Sequence, residues 1–215
     1  MNTKWTRFIL IFGVLLAVPA STWADDGNLR ALIRKAGIHG NLGVRNPTDS
    51  DVTRGVTFGP SVGLAPGHSN GLKYPFAFNM FSEDLHGPNG QQFGTVHTRA
   101  LVAGIGYGWH LGQLSIGPDF EVGYAFNHTS VTGDAGAFEE SGPLRMHAAN
   151  SWLLRPELKA EYFVTRKWTF RTSVDYTRMQ PSITVTTPTG TLDNRWNLSS
   201  VHANVGVGFY PFRKK

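Results

Sequence analysis

Apolar and polar residues alternate along most of the chain with the period of a β-strand, beginning at about residue 36. Each alternating stretch is ten residues or longer. The eight stretches cover residues 36–45, 53–64, 72–83, 97–110, 113–128, 148–164, 167–180 and 200–210. Strands of soluble proteins average about 5–6 residues, whereas a tilted strand that crosses a membrane needs about 9–11. The pattern therefore predicts strands of membrane-spanning length.

The connections between these stretches alternate in length. Short turns are predicted at 65–71, 111–113 and 165–167. At the opposite end, a short first connection is followed by three longer ones that are rich in turn-forming residues. They lie at 46–52, 84–95, 129–147 and 183–196. This arrangement is typical of outer-membrane barrels. We predict an all-β fold, an eight-stranded antiparallel up-and-down transmembrane β-barrel, whose first and last strands are neighbours.

Alternation alone leaves open which face points inward, since a soluble lipocalin-like barrel also alternates. The apolar faces carry roughly forty side chains, more than the interior of an eight-stranded barrel holds. The opposite faces are rich in Gly, Ala, Ser and Thr and carry charges of both signs. These charges are Lys73, Glu83, Asp119, Glu121, Arg155, Glu157, Lys159, Glu161, Arg171 and Asp175. Because such charges can pair, we predict a charged lumen and a lipid-facing apolar exterior, with a soluble periplasmic barrel as the alternative.

The N-terminus has the pattern of a secretory signal peptide. Lys4 and Arg7 precede the apolar run 8–18, which is too short to cross a bilayer as a helix. We predict a signal peptide at 1–24, a periplasmic segment at 25–35 and the barrel at 36–212. The chain has no Cys, which excludes disulfides, and its formal net charge of +5 comes without a basic, aromatic-rich patch, so nucleic acid is not an expected partner.

Aromatic residues collect near both ends of the predicted strands, as in the girdles of membrane barrels. The group toward the short turns is Tyr107, Trp109, Tyr162, Trp168 and Phe170, and the group toward the loops is Tyr124, Phe126 and Trp152. In architecture, residues 36–212 resemble small outer-membrane barrels of the OmpA-transmembrane-domain and OmpX kind. That resemblance implies a monomer in the outer membrane of a Gram-negative-type bacterium, in contact with lipid and lipopolysaccharide. It also implies recognition of the last strand, near Phe209, by the barrel assembly machinery.

A His-x-Ser sequence at the end of the fifth predicted strand is the candidate for catalysis. His128 and Ser130 are followed by Glu139 and Glu140 in the loop. The motif resembles that of the PagL lipid A 3-O-deacylases, which are also eight-stranded barrels, although Val131 stands where that family has Asn. The resemblance implies Ser130 as nucleophile, His128 as base, and Glu140 or Glu139 as the residue that orients the base.

Other polar residues are expected to have structural roles. His39 and His202 lie on the lumenal rows of the first and last strands, and we predict a hydrogen-bonded interior pair. Glu83 or Asp84 is expected to pair with Arg99 at the rim. No metal site and no cofactor motif is predicted. The sequence favours a non-enzymatic role in structure or surface interaction, through the extracellular loops and an unidentified ligand. The alternatives are the lipid A hydrolase and a small-solute channel.

Overall fold

The computed structural model describes residues 36–64, 70–87, 90–131, 145–187 and 190–212. The predicted signal peptide, the segment 25–35 and both loop glutamates, Glu139 and Glu140, lie outside these ranges. The described residues form eleven strands. They are β1 (Ala36–Pro47), β2 (Gly55–Leu64), β3 (Gly71–His86), β4 (Gln92–Leu111), β5 (Leu114–Val131), β6 (Arg145–Ala148), β7 (Ser151–Phe163), β8 (Trp168–Met179), β9 (Ser182–Thr187), β10 (Gly190–Arg195) and β11 (Ser200–Phe209). In this part of the chain, no helix is long and apolar enough to span a bilayer.

Eight of the strands close into an antiparallel barrel, in the order β1-β11-β8-β7-β5-β4-β3-β2. The first and last barrel strands pair directly, for example at Leu42 with Val205. Closure satisfies the backbone hydrogen bonds of every barrel strand and leaves no free edge. The predicted fold class is thus confirmed, including the contact between the ends of the chain.

The two faces of the barrel wall have the predicted polarity. Leu42, Phe58 and Leu158 are examples of the apolar side chains that point outward and are about half exposed. Thr57, Lys73 and nearly all of the predicted lumenal charges point inward and are largely buried. A soluble barrel would place its apolar residues inside, so the soluble alternative is wrong for this fold.

The strands extend beyond their predicted ends on the side of the long loops. β4 alone has 20 residues, and the predicted connection 84–95 is largely strand, because Asp84 pairs with Thr95. The alternation stays intact in this region, with Leu85 and Val96 fully buried. The alternation is hard to recognise in the sequence here, because outward-facing positions such as Ser82 and His97 are polar and do not form an apolar row.

The predicted loops 129–147 and 183–196 contain three further strands. β6, β9 and β10 form a separate antiparallel sheet with the order β10-β9-β6. Ile183 of β9 is completely buried, whereas Leu192 of β10 is 67 % exposed. The sheet is therefore packed onto the barrel by β9 and exposed along β10.

Candidate functional site

The middle of the lumen is filled by ion pairs between neighbouring strands. Lys159 Nζ lies 2.5 Å from Asp119 Oδ2 and 2.9 Å from Glu157 Oε2. At the next lumenal positions along the same two strands, the guanidinium of Arg155 binds the carboxylate of Glu121. These side chains come from the adjacent strands β5 and β7. The register sets Glu121 opposite Arg155 and Asp119 opposite Glu157, and Lys159 neutralises the latter two acids from a diagonal position. The predicted pairing of lumenal charges is confirmed here.

Asp119, Glu121 and Glu157 offer oxygen atoms within 4.8 Å of one another. Such a group of carboxylates has the chemistry of a hard-cation site. Here, however, Lys159 and Arg155 already occupy the space between the carboxylates and supply the compensating charge. The geometry is that of an ion network that fixes the interior.

A second buried pair joins β1 and β3 nearer the long loops. Arg45 Nη2 lies 2.8 Å from Glu83 Oε1, and both side chains are fully buried. The guanidinium is 3.4 Å above the ring of Phe81, and it donates a 2.6 Å hydrogen bond to Ser200 Oγ. Arg45 is not among the predicted lumenal charges, because it lies in a weakly alternating stretch. Arg45 is six residues after His39, so both side chains lie on the same inward-facing row. This spacing was the signal in the sequence that could have identified Arg45 as a lumenal residue.

Glycines on β4 make room for the long lumenal side chains. A Cβ atom at Gly106 would meet the carboxylate of Asp119 at 1.9 Å, and one at Gly108 would meet Lys73 Cε at 2.2 Å. Larger residues at these two positions would displace the charges. The small residues on the lumenal face of β4 therefore leave the space into which the charged residues of β3 and β5 extend.

His39 and His202 do not form the predicted pair. Because β1 and β11 run antiparallel, His39 is opposite Gly208 and His202 is opposite Arg45, at different depths of the lumen. His39 Nε2 lies 3.3 Å from Glu161 Oε1, and His202 Nδ1 lies 3.0 Å from Asp175 Oδ1. Each histidine is instead part of a separate polar cluster.

Both ends of the lumen are closed by buried side chains of the described residues. At the loop end, an apolar cluster includes Leu85, Leu153, Met179 and Ile183. At the turn end, the rings of Phe163 and Tyr210 are 5.7 Å apart and both are buried. Between them, a polar cavity of about 40 Å³ has room for a few water molecules.

A chain of three polar side chains lies on the outer face of the wall, near the long loops. His97 Nδ1 is 2.7 Å from Ser82 Oγ, and His97 Nε2 is 3.2 Å from Ser130 Oγ. The residues come from three successive strands, β3, β4 and β5, and all three are exposed. Because these three strands are long, the three side chains lie on the regular barrel wall and not on a loop.

The structure places the predicted catalytic residues only partly together. His128 is two residues from Ser130 on the same outward row, but the histidine within hydrogen-bond distance of Ser130 is His97. Glu140 lies outside the described residues. The sequence does not indicate His97 as a partner of Ser130, because strand pairing and not a short motif brings the two together. The register that sets His97 opposite His128 was the missing information.

The predicted rim ion pair is wrong. Glu83 points into the lumen toward Arg45, whereas Arg99 points outward between Met80 and Phe126 of the neighbouring strands. Asp84 also points outward, and its Oδ1 accepts a 2.7 Å hydrogen bond from Thr95. The alternation places Glu83 and Arg99 on opposite faces of the wall.

These features define the chain as a small closed β-barrel with an apolar exterior and a filled polar interior, the fold of outer-membrane barrels. Among solved structures, it is similar to the outer membrane protein OprG from Pseudomonas aeruginosa. The two share 14% sequence identity and a TM-score of 0.66, over 81% of this chain and 94% of that one. No family model and no curated protein matches the sequence.

Two further solved structures have the same fold. One is Neisserial surface protein A, with 13% identity and a TM-score of 0.50 over 82% of this chain and 97% of that one. The other is a major outer membrane protein from Thermus thermophilus, with 12% identity and a TM-score of 0.50 over 81% and 98%. The resemblance to small eight-stranded barrels is thus confirmed at the level of fold.

Proposed function

We propose that this protein is an outer-membrane β-barrel that acts through its external surfaces and does not conduct solutes. The outer-membrane location is supported by the apolar exterior, by the exposed aromatic residues at both ends of the strands and by the fold. Trp109 and Trp168 mark one band and Trp152 the other, and all three are well exposed. Tryptophan is enriched at membrane interfaces, where its ring contacts lipid and its N–H reaches water.

The proposal that the barrel does not conduct solutes rests on the filling of its lumen by side chains. Ion pairs occupy its middle, and the apolar cluster with Ile183 and the rings of Phe163 and Tyr210 lie at its two ends. A cavity of about 40 Å³ is too small to form a water path along the barrel. This geometry favours the surface role over the small-solute channel.

Planar-bilayer recording of the purified protein tests the closed state. We expect no steady conductance from the wild type, because transport would require several buried ion pairs to separate. The paired variants Phe163→Ala and Tyr210→Ala, which remove rings from one end only, should also remain closed. A stable ohmic conductance of the wild type would contradict the proposal and favour the channel.

The surface role is expected to reside in the sheet formed by β6, β9 and β10. β10 is an edge strand whose residues are all exposed, including Leu192 and Arg195. Unpaired backbone groups and exposed apolar residues are common features of binding surfaces. We expect Leu192→Ser with Arg195→Ser to reduce attachment of producing cells to a solid surface, measured by retained cells after washing. Unchanged attachment would remove β10 from the proposed surface.

A further inference from the structure

Two histidine side chains face each other across neighbouring strands on the outer wall of the barrel. His97 of β4 and His128 of β5 are direct partners in the strand register, and both are exposed. Residues opposite each other in an antiparallel pair have Cβ atoms about 4.5–5.5 Å apart. At this spacing, both imidazoles can reach one ion that lies about 2.0–2.1 Å from each nitrogen. We propose that His97 and His128 are the two protein ligands of a divalent transition-metal ion.

Ser82 of β3 holds the imidazole of His97 from the side away from β5. His97 Nδ1 lies 2.7 Å from Ser82 Oγ. In the tautomer that donates Nδ1–H to this oxygen, Nε2 has the free lone pair that a metal ion requires. Metal-binding histidines almost always donate their second ring N–H to a neighbouring acceptor, which fixes the tautomer and the orientation of the ring. Ser82 is therefore the positioning residue of the site.

The metal-binding nitrogen of His97 faces the strand that supplies the second imidazole. Nε2 lies 3.2 Å from Ser130 Oγ, and Ser130 is two residues from His128 on the same outward row of β5. An oxygen atom thus already occupies a position next to this nitrogen. The contact joins two neutral, exposed groups, so an ion with its bound water displaces the hydroxyl without leaving a buried group unsatisfied.

Charged side chains of opposite sign lie on either side of the histidine pair. Arg99 is on the outward row of β4, two residues from His97 toward the aromatic band. Asp84 of β3 also points outward, and it lies on the other side of the pair, opposite Thr95. Because these two charges offset each other, the local field neither repels nor concentrates cations strongly. The imidazoles therefore decide which ion binds.

The ligand type identifies the class of metal. Imidazole suits Cu²⁺, Zn²⁺ and Ni²⁺, and Cu²⁺ binds most tightly among them. Ca²⁺ instead takes six to eight oxygen ligands, and Mg²⁺ requires octahedral oxygen coordination. Two histidines leave the remaining positions of the ion to water. The site is accordingly selective for transition metals over the hard divalent cations.

The test is calorimetric titration of the purified, tag-free, full-length protein in detergent micelles with CuSO₄, together with electron paramagnetic resonance of the bound Cu²⁺. We expect the tightest ion to have two nitrogen ligands and to remain bound in excess Ca²⁺ or Mg²⁺. His97→Gln and His128→Gln should each weaken binding about 100-fold and leave one nitrogen. Ser82→Ala should weaken binding about 10-fold, the low end for an outer partner of a metal ligand, and Ser82→Thr should restore it.

The matched control is His86→Gln. His86 lies on β3 opposite Gln92, so it has no histidine as its strand partner, and it should not affect the tightest ion. Heat-modified gel mobility verifies that each variant is folded. A single nitrogen on the tightest Cu²⁺ of the wild type would overturn the proposal. So would an effect confined to one of the two histidines of the pair, or a loss in His86→Gln as large as that in His97→Gln.

Discussion

At the scale of single residues, the pair formed by Arg45 and Glu83 shows how burial makes two charges interdependent. Both side chains are fully buried, 2.8 Å apart at their nearest atoms. An isolated charge in such a place lacks both water and a counter-charge, so the loss of one partner is costly. Phe81 and Ser200 hold the guanidinium, but neither compensates its charge.

We therefore expect Glu83→Gln to lower the free energy of unfolding by about 3–5 kcal/mol. The double variant Arg45→Met with Glu83→Leu should recover most of this loss, since it removes both charges and keeps the volume. Urea unfolding in lipid vesicles, followed by heat-modified gel mobility, measures the effect. Equal losses in the single and double variants would mean that the uncompensated charge of Arg45 is not the cause of the instability.

At the scale of elements, β9 connects the barrel to the sheet outside it. Ile183 on β9 is completely buried and belongs to the apolar cluster that closes the loop end of the lumen. Ala149, just after β6, donates a 2.8 Å backbone hydrogen bond to Ser182 and so continues the pairing of β6 with β9. The position of the whole sheet thus depends on a small number of buried groups.

Ile183→Ala is expected to cost about 2–4 kcal/mol through the lost side chain and the space it leaves. The outer sheet should then open more often, and protease added to intact cells should cleave within residues 182–195 faster than in the wild type. Leu192→Ala is the matched control, because that side chain is mostly exposed. Equal cleavage of both variants would mean that Ile183 does not hold the sheet.

At the scale of the whole molecule, the exterior is an apolar surface and the interior is a charged one. Leu158 is 56 % exposed and lies opposite Pro118 and Val174 near the middle of the wall. Its neighbours in sequence, Glu157 and Lys159, point into the lumen. A charge is therefore tolerated one residue to either side of Leu158 and not at Leu158 itself.

Leu158→Arg should lower stability in lipid vesicles by about 2–4 kcal/mol, the cost of an arginine on the lipid face near the bilayer midplane. Thr191→Arg, on the exposed strand β10, is the control and should have little effect. Unfolding by urea in vesicles compares the two. A Leu158→Arg variant as stable as the wild type would mean that this face does not contact lipid.

The sequence was sufficient for the barrel because alternation over ten or more residues is a strong signal and lumenal charges mark one face. It was insufficient wherever distant strands meet. The contact of His97 with Ser130, the separation of His39 from His202 and the partner of Glu83 all depend on register, which one strand cannot specify. The outer sheet was also missed, since its short strands contain the Gly, Thr and Asn residues typical of turns.

The cluster around His39 has a consequence for how the molecule folds. His39 on β1 contacts Glu161 on β7 and Tyr210 just beyond β11, a residue 171 positions away in sequence. Arg171, which lies 3.1 Å from the same imidazole nitrogen, is on β8. These groups acquire their full set of partners only when the first strand meets the last. Glu161 and Arg171 already face each other across the neighbouring strands β7 and β8, but His39 and Tyr210 reach them only on closure. Since closure joins the residues most distant in sequence, we expect it to be a late step of folding.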